Sequence, residues 1–143
     1  MATLTKFALY FSKEEPPNIV SEITLVEDLG VEGDVHMAKG DREVSLFSDE
    51  ARDWMNSTEE KGLCFVKFYG NIQTEGIALE ELKERDILTS GDVEIEITSA
   101  KKECHAECPL FSQGKFCMLP ICGRFAKVNK GGTLHLGDEI FVN

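Results

Sequence analysis

Val93-Glu-Ile-Glu-Ile97 alternates apolar and acidic residues without a break. A period of two belongs to a β-strand with one buried and one wet face, not to a helix. The other apolar runs are short too: Thr5 to Phe11, Ile19 to Val26, Val44 to Phe47, Leu63 to Tyr69 and Thr133 to Val142. Turn chemistry separates them. Lys13-Glu-Glu-Pro-Pro-Asn18 divides the first two, because neither proline can donate a ladder hydrogen bond. Gly91-Asp92, Gly131-Gly132 and Gly137-Asp138 punctuate the second half. Gly30 to Gly40 holds three glycines and no apolar period, so it predicts a loop, and Gly70 to Ile77 predicts another. One stretch reads as a clear helix. Ser48 has N-cap chemistry, Asp49 and Glu50 suit the positive end of a helix dipole, and Gly62 marks a stop after about Lys61. Leu79 to Leu82 predicts one helical turn. The expected fold is therefore mainly β and barrel-like, with one or a few short helices.

A chain of 143 residues is one domain's worth, enough to bury roughly two-thirds of its unfolded surface. There is no internal repeat, low-complexity tract or linker, so residues 1–143 are read as a single domain. The formal net charge of −11 argues against nucleic acid or an anionic membrane as partner. No apolar run approaches the ~20 residues of a membrane-spanning helix. The opening Met-Ala-Thr-Leu-Thr-Lys-Phe lacks the basic-then-apolar order of a signal peptide, so the expected location is cytoplasmic.

The acidic total conceals a reversal. From Lys101 to Lys130 six bases face two acids, a local +4, leaving −15 on the remainder. Four of the five cysteines lie in the same region, spaced Cys104-x3-Cys108-x8-Cys117-x4-Cys122. Four thiolates can hold structural zinc, but the usual C-x2-C knuckles are missing. They can hold an iron–sulfur cluster, but the spacing fits none of the common ferredoxin runs. Disulfides are disfavoured in a reducing compartment, and five cysteines leave one over. The fourth reading is a reactive thiolate. Lys101 and Lys102 precede Cys104, and nearby cations lower a thiol's pKa. Such thiolates bind soft metal centres or carry sulfur. Cys64, inside Leu63-Cys-Phe-Val66, suits plain burial. His105 adjoins Cys104, but neighbours in a strand or helix do not face each other. His36, in the glycine-rich loop, is the better candidate base, and His135 is read as the outward residue of a strand.

Taken together, these segments resemble a known family. Gly30-Val-Glu-Gly-Asp-Val-His36 with Arg42-Glu-Val-Ser-Leu46, Asn71-Ile-Gln-Thr-Glu-Gly-Ile77, Cys104-His-Ala-Glu-Cys108 and Gly114-Lys-Phe-Cys-Met-Leu-Pro120 resemble the motifs of small, stand-alone MOSC domains (molybdenum cofactor sulfurase C-terminal). Phe125-Ala-Lys-Val128 and Gly137-Asp-Glu139 also match. The order and spacing hold from about residue 20 to the end. Gly70 departs from the pattern, standing where relatives carry glutamate, as do Met37-Ala38-Lys39 and Leu119 to Cys122.

The resemblance implies a fold related to the β-barrel domain of pyruvate kinase. It implies binding of the molybdenum cofactor (molybdopterin) through a cysteine thiolate, with reduction of N-hydroxylated substrates as one outcome. Its alternative is a persulfide carrier fed by a cysteine desulfurase, and a redox partner protein is a further implied partner. Cys104 is the implied working thiolate and metal ligand, with Cys117 and His36 as helpers. Gly33, Asp34, Arg42 and Ser45 from the first motif, and Asn71 and Thr74 from the second, are the implied cofactor-binding residues. Lys101, Lys102 and Arg124 would add positive charge for the pterin phosphate. Pyridoxal phosphate appears among family descriptions, but no lysine motif supports such a site here. Outside both readings stands a non-catalytic, zinc-stabilised interaction module.

Overall fold

The computed structural model describes residues 2–12, 15–35, 37, 43–57, 70–101 and 123–142, with only the backbone for Ala100 and Lys101. Eleven strands and one α-helix fill these segments. They are β1 (Thr3–Leu9), β2 (Asn18–Val20), β3 (Glu22–Val26), β4 (Gly30–Val31), β5 (Val44–Ser48), α1 (Asp49–Ser57), β6 (Ile72–Glu75), β7 (Ile87–Ser90), β8 (Val93–Lys101), β9 (Arg124–Lys130), β10 (Gly132–His135) and β11 (Phe141–Val142). A 3-10 turn, Leu79–Glu81, sits where one helical turn is expected.

Eight strands form one sheet in the order β11-β7-β8-β9-β5-β6-β1-β2, and β10-β3-β4 form a second. One hydrophobic core draws on both, with Leu4, Phe7, Leu46, Ile72, Ile97 and Val128 from the large sheet and Ile23, Leu25, Val31 and Leu134 from the small one. Each such side chain contributes ~1.5–3 kcal/mol of burial. The fold is mainly β, as expected. The barrel does not close by strand pairing among the described residues. Instead β1 reaches the C-terminal segment through one bridge, Thr3 to Glu139. Backbone bonds from Leu4 N–H to the Asp138 carbonyl (2.9 Å) and from Gly137 N–H to the Leu4 carbonyl (2.8 Å) support that bridge.

The predicted elements hold in part. Val93–Ile97 is a strand that runs on to Lys101. Ser48 caps α1 as its side chain predicts, its Oγ accepting from the Ala51 N–H at 3.1 Å. The expected stop at Gly62 and the run Leu63 to Tyr69 lie outside the described residues. Three expectations need correction. The loop expected over Gly70 to Ile77 contains β6, a strand paired on both sides with β5 and β1. Its Gln73 side chain donates to Asp49, 24 positions away, so no local pattern marks it. Ile19 to Val26 is two strands in different sheets, split at Ser21. Thr133 to Val142 is likewise two strands, parted by the turn at Gly137, which has φ 88°. The sequence reading also passed over β7, β9 and β4, the last at the start of the loop expected over Gly30 to Gly40.

One pairing positions everything that follows. β5 and β6 are the parallel pair, joined by a crossover through α1, with Leu46 beside Ile72. Parallel strands start at the same end, so Ser45 and Asn71 lie side by side. Helix α1 covers this pair, burying Ala51 and Met55, while the Arg52 guanidinium lies 5.0 Å from the Phe47 ring centre.

Candidate functional site

Asn71 is the centre of a buried polar cluster and is only 1% exposed. Its Oδ1 accepts from the Ser45 backbone N–H and the Ser45 hydroxyl, both at 3.0 Å. Its backbone N–H donates to Ser45 Oγ at 2.9 Å. Its Nδ2 donates to the Ala8 carbonyl at 3.0 Å and to Asp34 Oδ2 at 2.8 Å. That is the full capacity of an asparagine side chain. Asp34, 4% exposed, also accepts from the Tyr10 N–H at 2.9 Å. The Val35 N–H then donates to the Tyr10 carbonyl at 2.6 Å. Asn71 thus ties β1, β5 and the turn at residues 32–35 into one clasp.

The segment hanging from that clasp returns at Glu43, which is held too. Glu43 Oε1 accepts from the Val128 N–H at 3.1 Å. Gly30, at φ 116°, packs so closely that a Cβ there would sit 2.6 Å from the Glu43 carbonyl oxygen. Only glycine fits that contact. Sequence reasoning missed Glu43, because nothing local distinguishes it from the chain's many solvated acids.

Of the residues expected to bind a cofactor, the structure brings Asp34, Ser45 and Asn71 together. Gly33 adjoins them at φ 85°, and among the described residues the one contact its missing Cβ would meet is Phe11 Cε1 at 3.9 Å. Thr74 is fully buried in β6, opposite Leu4 and Ser48, and its hydroxyl has no hydrogen-bond partner among the described residues. Arg124 stands apart from the clasp in β9, directly opposite Leu46. It is 4% exposed, with Nη1 donating to the carbonyls of Leu79 (2.9 Å) and Leu82 (2.5 Å). Gly70 packs against the backbone of Leu46 and Phe47, where a Cβ would approach the Phe47 nitrogen to 2.8 Å. His36, Arg42, Lys102, Cys104 and Cys117 lie outside the described residues, and Lys101 is described by its backbone alone. His135 is an exposed strand residue, as expected, with Nε2 3.0 Å from Glu22 Oε2.

A pterin phosphate and a metal would ask these residues for donors and ligands. The Asn71 side chain is fully engaged within the clasp, Ser45 is engaged with it, and Arg124 Nη1 serves two carbonyls. Among the described residues no group of three or more His, Cys, Asp or Glu side chains could hold a metal. As direct ligands these residues do not fit. They fit as the frame from which the cysteine segment and the 36–42 segment extend. Lys101 and Arg124, the two anchors of the cysteine segment, face each other in register beside β5. Among the described residues no helix is long and apolar enough to cross a membrane.

A family model of the MOSC domain matches residues 32–141. Among solved structures, the YUAD protein from Bacillus subtilis superposes with a TM-score of 0.72, covering 98% of this chain and 94% of that one at 16% identity. YiiM from Escherichia coli gives 0.64, covering 99% and 69% at 19% identity. YiiM from Geobacillus stearothermophilus gives 0.65, covering 100% and 75% at 13% identity. At such identities the likeness shows the fold. Among the curated proteins none matches.

Proposed function

Because the chain belongs to the MOSC domain family, matched over residues 32–141, we propose that it acts in molybdenum cofactor or sulfur metabolism through the Cys104 thiolate. One observation carries this reading. Arg124, one anchor of the cysteine segment and the register partner of the other, Lys101, lies opposite Leu46, next along β5 from Ser45, whose clasp with Asn71 and Asp34 holds the root of the segment bearing His36 and Arg42. Two segments rich in reactive side chains therefore begin and end on the neighbouring strands β8, β9 and β5 and the clasped turn beside them.

In the first reading the Cys104 thiolate holds the molybdenum cofactor. Lys101 and Lys102 raise the thiolate fraction of Cys104 and, with Arg42, meet the phosphate of the pterin. His36 takes or returns the thiol proton. The cofactor, when bound, supplies oxidation–reduction chemistry such as reduction of an N-hydroxylated substrate. Asn71, Ser45 and Asp34 touch neither cofactor nor substrate; they hold the backbone that presents the reactive segments.

A second reading is favoured by the crowding of four cysteines into one segment. The Cys104 thiolate attacks the outer sulfur of a desulfurase persulfide, and the donor cysteine leaves as a thiolate. Cys117 then passes the sulfur on by thiol exchange.

Metal analysis and intact-protein mass spectrometry separate these readings. Protein purified from a molybdenum-replete host is expected to carry molybdenum, and Cys104→Ser to lose it. A sulfur adduct at Cys104 or Cys117 after incubation with a cysteine desulfurase would instead support sulfur carriage. Stoichiometric zinc that survives dialysis, with unfolding on chelation, would replace both by a structural site.

A further inference from the structure

Away from the clasp, an open cavity of about 360 Å³ lies between the 83–86 turn and the far end of β8, lined by Glu84, Arg85, Glu96, Thr98, Ser99 and Lys127. Its floor is a bulge. Ile97 pairs with Ala126 and Lys101 with Arg124, so residues 98–100 of β8 span what Phe125 alone spans in β9. Bulges re-aim side chains, and here Thr98 and Ser99 are brought to the cavity.

The wall is the turn. The Lys83 N–H donates to Asp86 Oδ2 at 2.8 Å and the Asp86 N–H to the Lys83 carbonyl at 3.0 Å. The Arg85 N–H donates to the Ile97 carbonyl at 2.7 Å, and the Ile97 N–H to the Asp86 carbonyl at 2.8 Å. These bonds hold Arg85 at φ 78°, a left-handed conformation that glycine adopts without strain and arginine does not. Backbone geometry alone would favour glycine at this position. What arginine adds is a side chain lining the cavity, with no partner for its guanidinium among the described residues. Lys127, by contrast, lies 3.5 Å from Glu96, which also accepts from Asn129 Nδ2 at 3.2 Å.

We infer that this cavity binds inorganic phosphate. Phosphate presents oxygens in several directions and suits a lining that offers the Arg85 guanidinium and the Ser99 hydroxyl, with the Lys127 ammonium, shared with Glu96, beside them. Glu84 selects further. A hydrogen phosphate can donate its proton to that carboxylate, whereas an ionised carboxylate ligand has none to give. The site is independent of the thiolate reading, although β8 leads from it to the cysteine segment.

Amide NMR of the full chain, titrated with inorganic phosphate and with acetate at matched ionic strength, tests the inference. Phosphate is expected to give saturable shifts at Arg85 and Ser99, and acetate none. Arg85→Gly is expected to keep or raise the melting temperature and to weaken phosphate binding about tenfold or more. Ser99→Ala keeps the site's charge and should weaken binding less. Absence of saturable phosphate shifts, equal binding of acetate, or wild-type affinity in Arg85→Gly would each overturn it.

Discussion

The Asn71 clasp and the bulged end of β8 place polar side chains under opposite conditions. At the clasp, Asn71 is 1% exposed and all of its side-chain hydrogen-bonding capacity is used within the protein. At the turn facing the bulge, Arg85 is exposed, its backbone is left-handed, and its guanidinium has no partner among the described residues. Buried polar groups that are fully satisfied fix structure, while those left unmatched penalise it. An exposed, left-handed residue with donors to offer motivates the proposal that it binds phosphate. Residues from a family's binding motif can therefore be framework, and a residue outside every motif can face a ligand.

The largest expected effect breaks the clasp. Asn71→Ala would leave the Ser45 N–H and the Ala8 carbonyl without the Asn71 side chain and remove one of the bonds to Asp34, at a cost of about 3–4 kcal/mol. In a domain of this size that lowers the melting temperature on the order of 10 °C, measurable by calorimetry. A loss of bound cofactor at unchanged stability would instead make Asn71 a ligand. Arg124→Ala tests the same contrast one strand away. It removes the donor to the Leu79 and Leu82 carbonyls and is expected to cost about 2–3 kcal/mol by urea unfolding. Ser48→Ala removes only the cap on α1, at about 1 kcal/mol. The smallest change has the opposite sign. Arg85→Gly relieves a left-handed residue and is expected to stabilise by at most about 1 kcal/mol, after allowing for the greater freedom of glycine in the unfolded chain.

The same contrast decides what could be read in the sequence. The strand at Val93–Ile97 and the Ser48 cap were legible because the signals are local, an alternation in one case and one side chain three residues from its N–H in the other. Strand β6 was not. Asn71, Gln73 and Thr74 look like loop residues, and the groups that satisfy Asn71 lie 26, 37 and 63 positions away in sequence. Ile19 to Val26 reads as one strand because nothing in its composition marks the change of sheet at Ser21, whose carbonyl accepts from the Leu136 N–H. At the candidate site the motifs gathered Asp34, Ser45 and Asn71 correctly in space, but motif membership does not say whether a side chain faces a ligand or a neighbour. Glu43 and Arg85 carried no local signal, since the role of each is set by strands paired far along the chain.

The central claim divides labour between a buried frame and the Cys104 thiolate. Its most direct test is the molybdenum and sulfane-sulfur content of wild type, Cys104→Ser and Asn71→Ser, purified side by side with melting temperatures recorded on the same samples. The account predicts that Cys104→Ser loses the bound molybdenum or sulfur at an unchanged melting temperature, while Asn71→Ser melts earlier. Full retention of both by Cys104→Ser would contradict it.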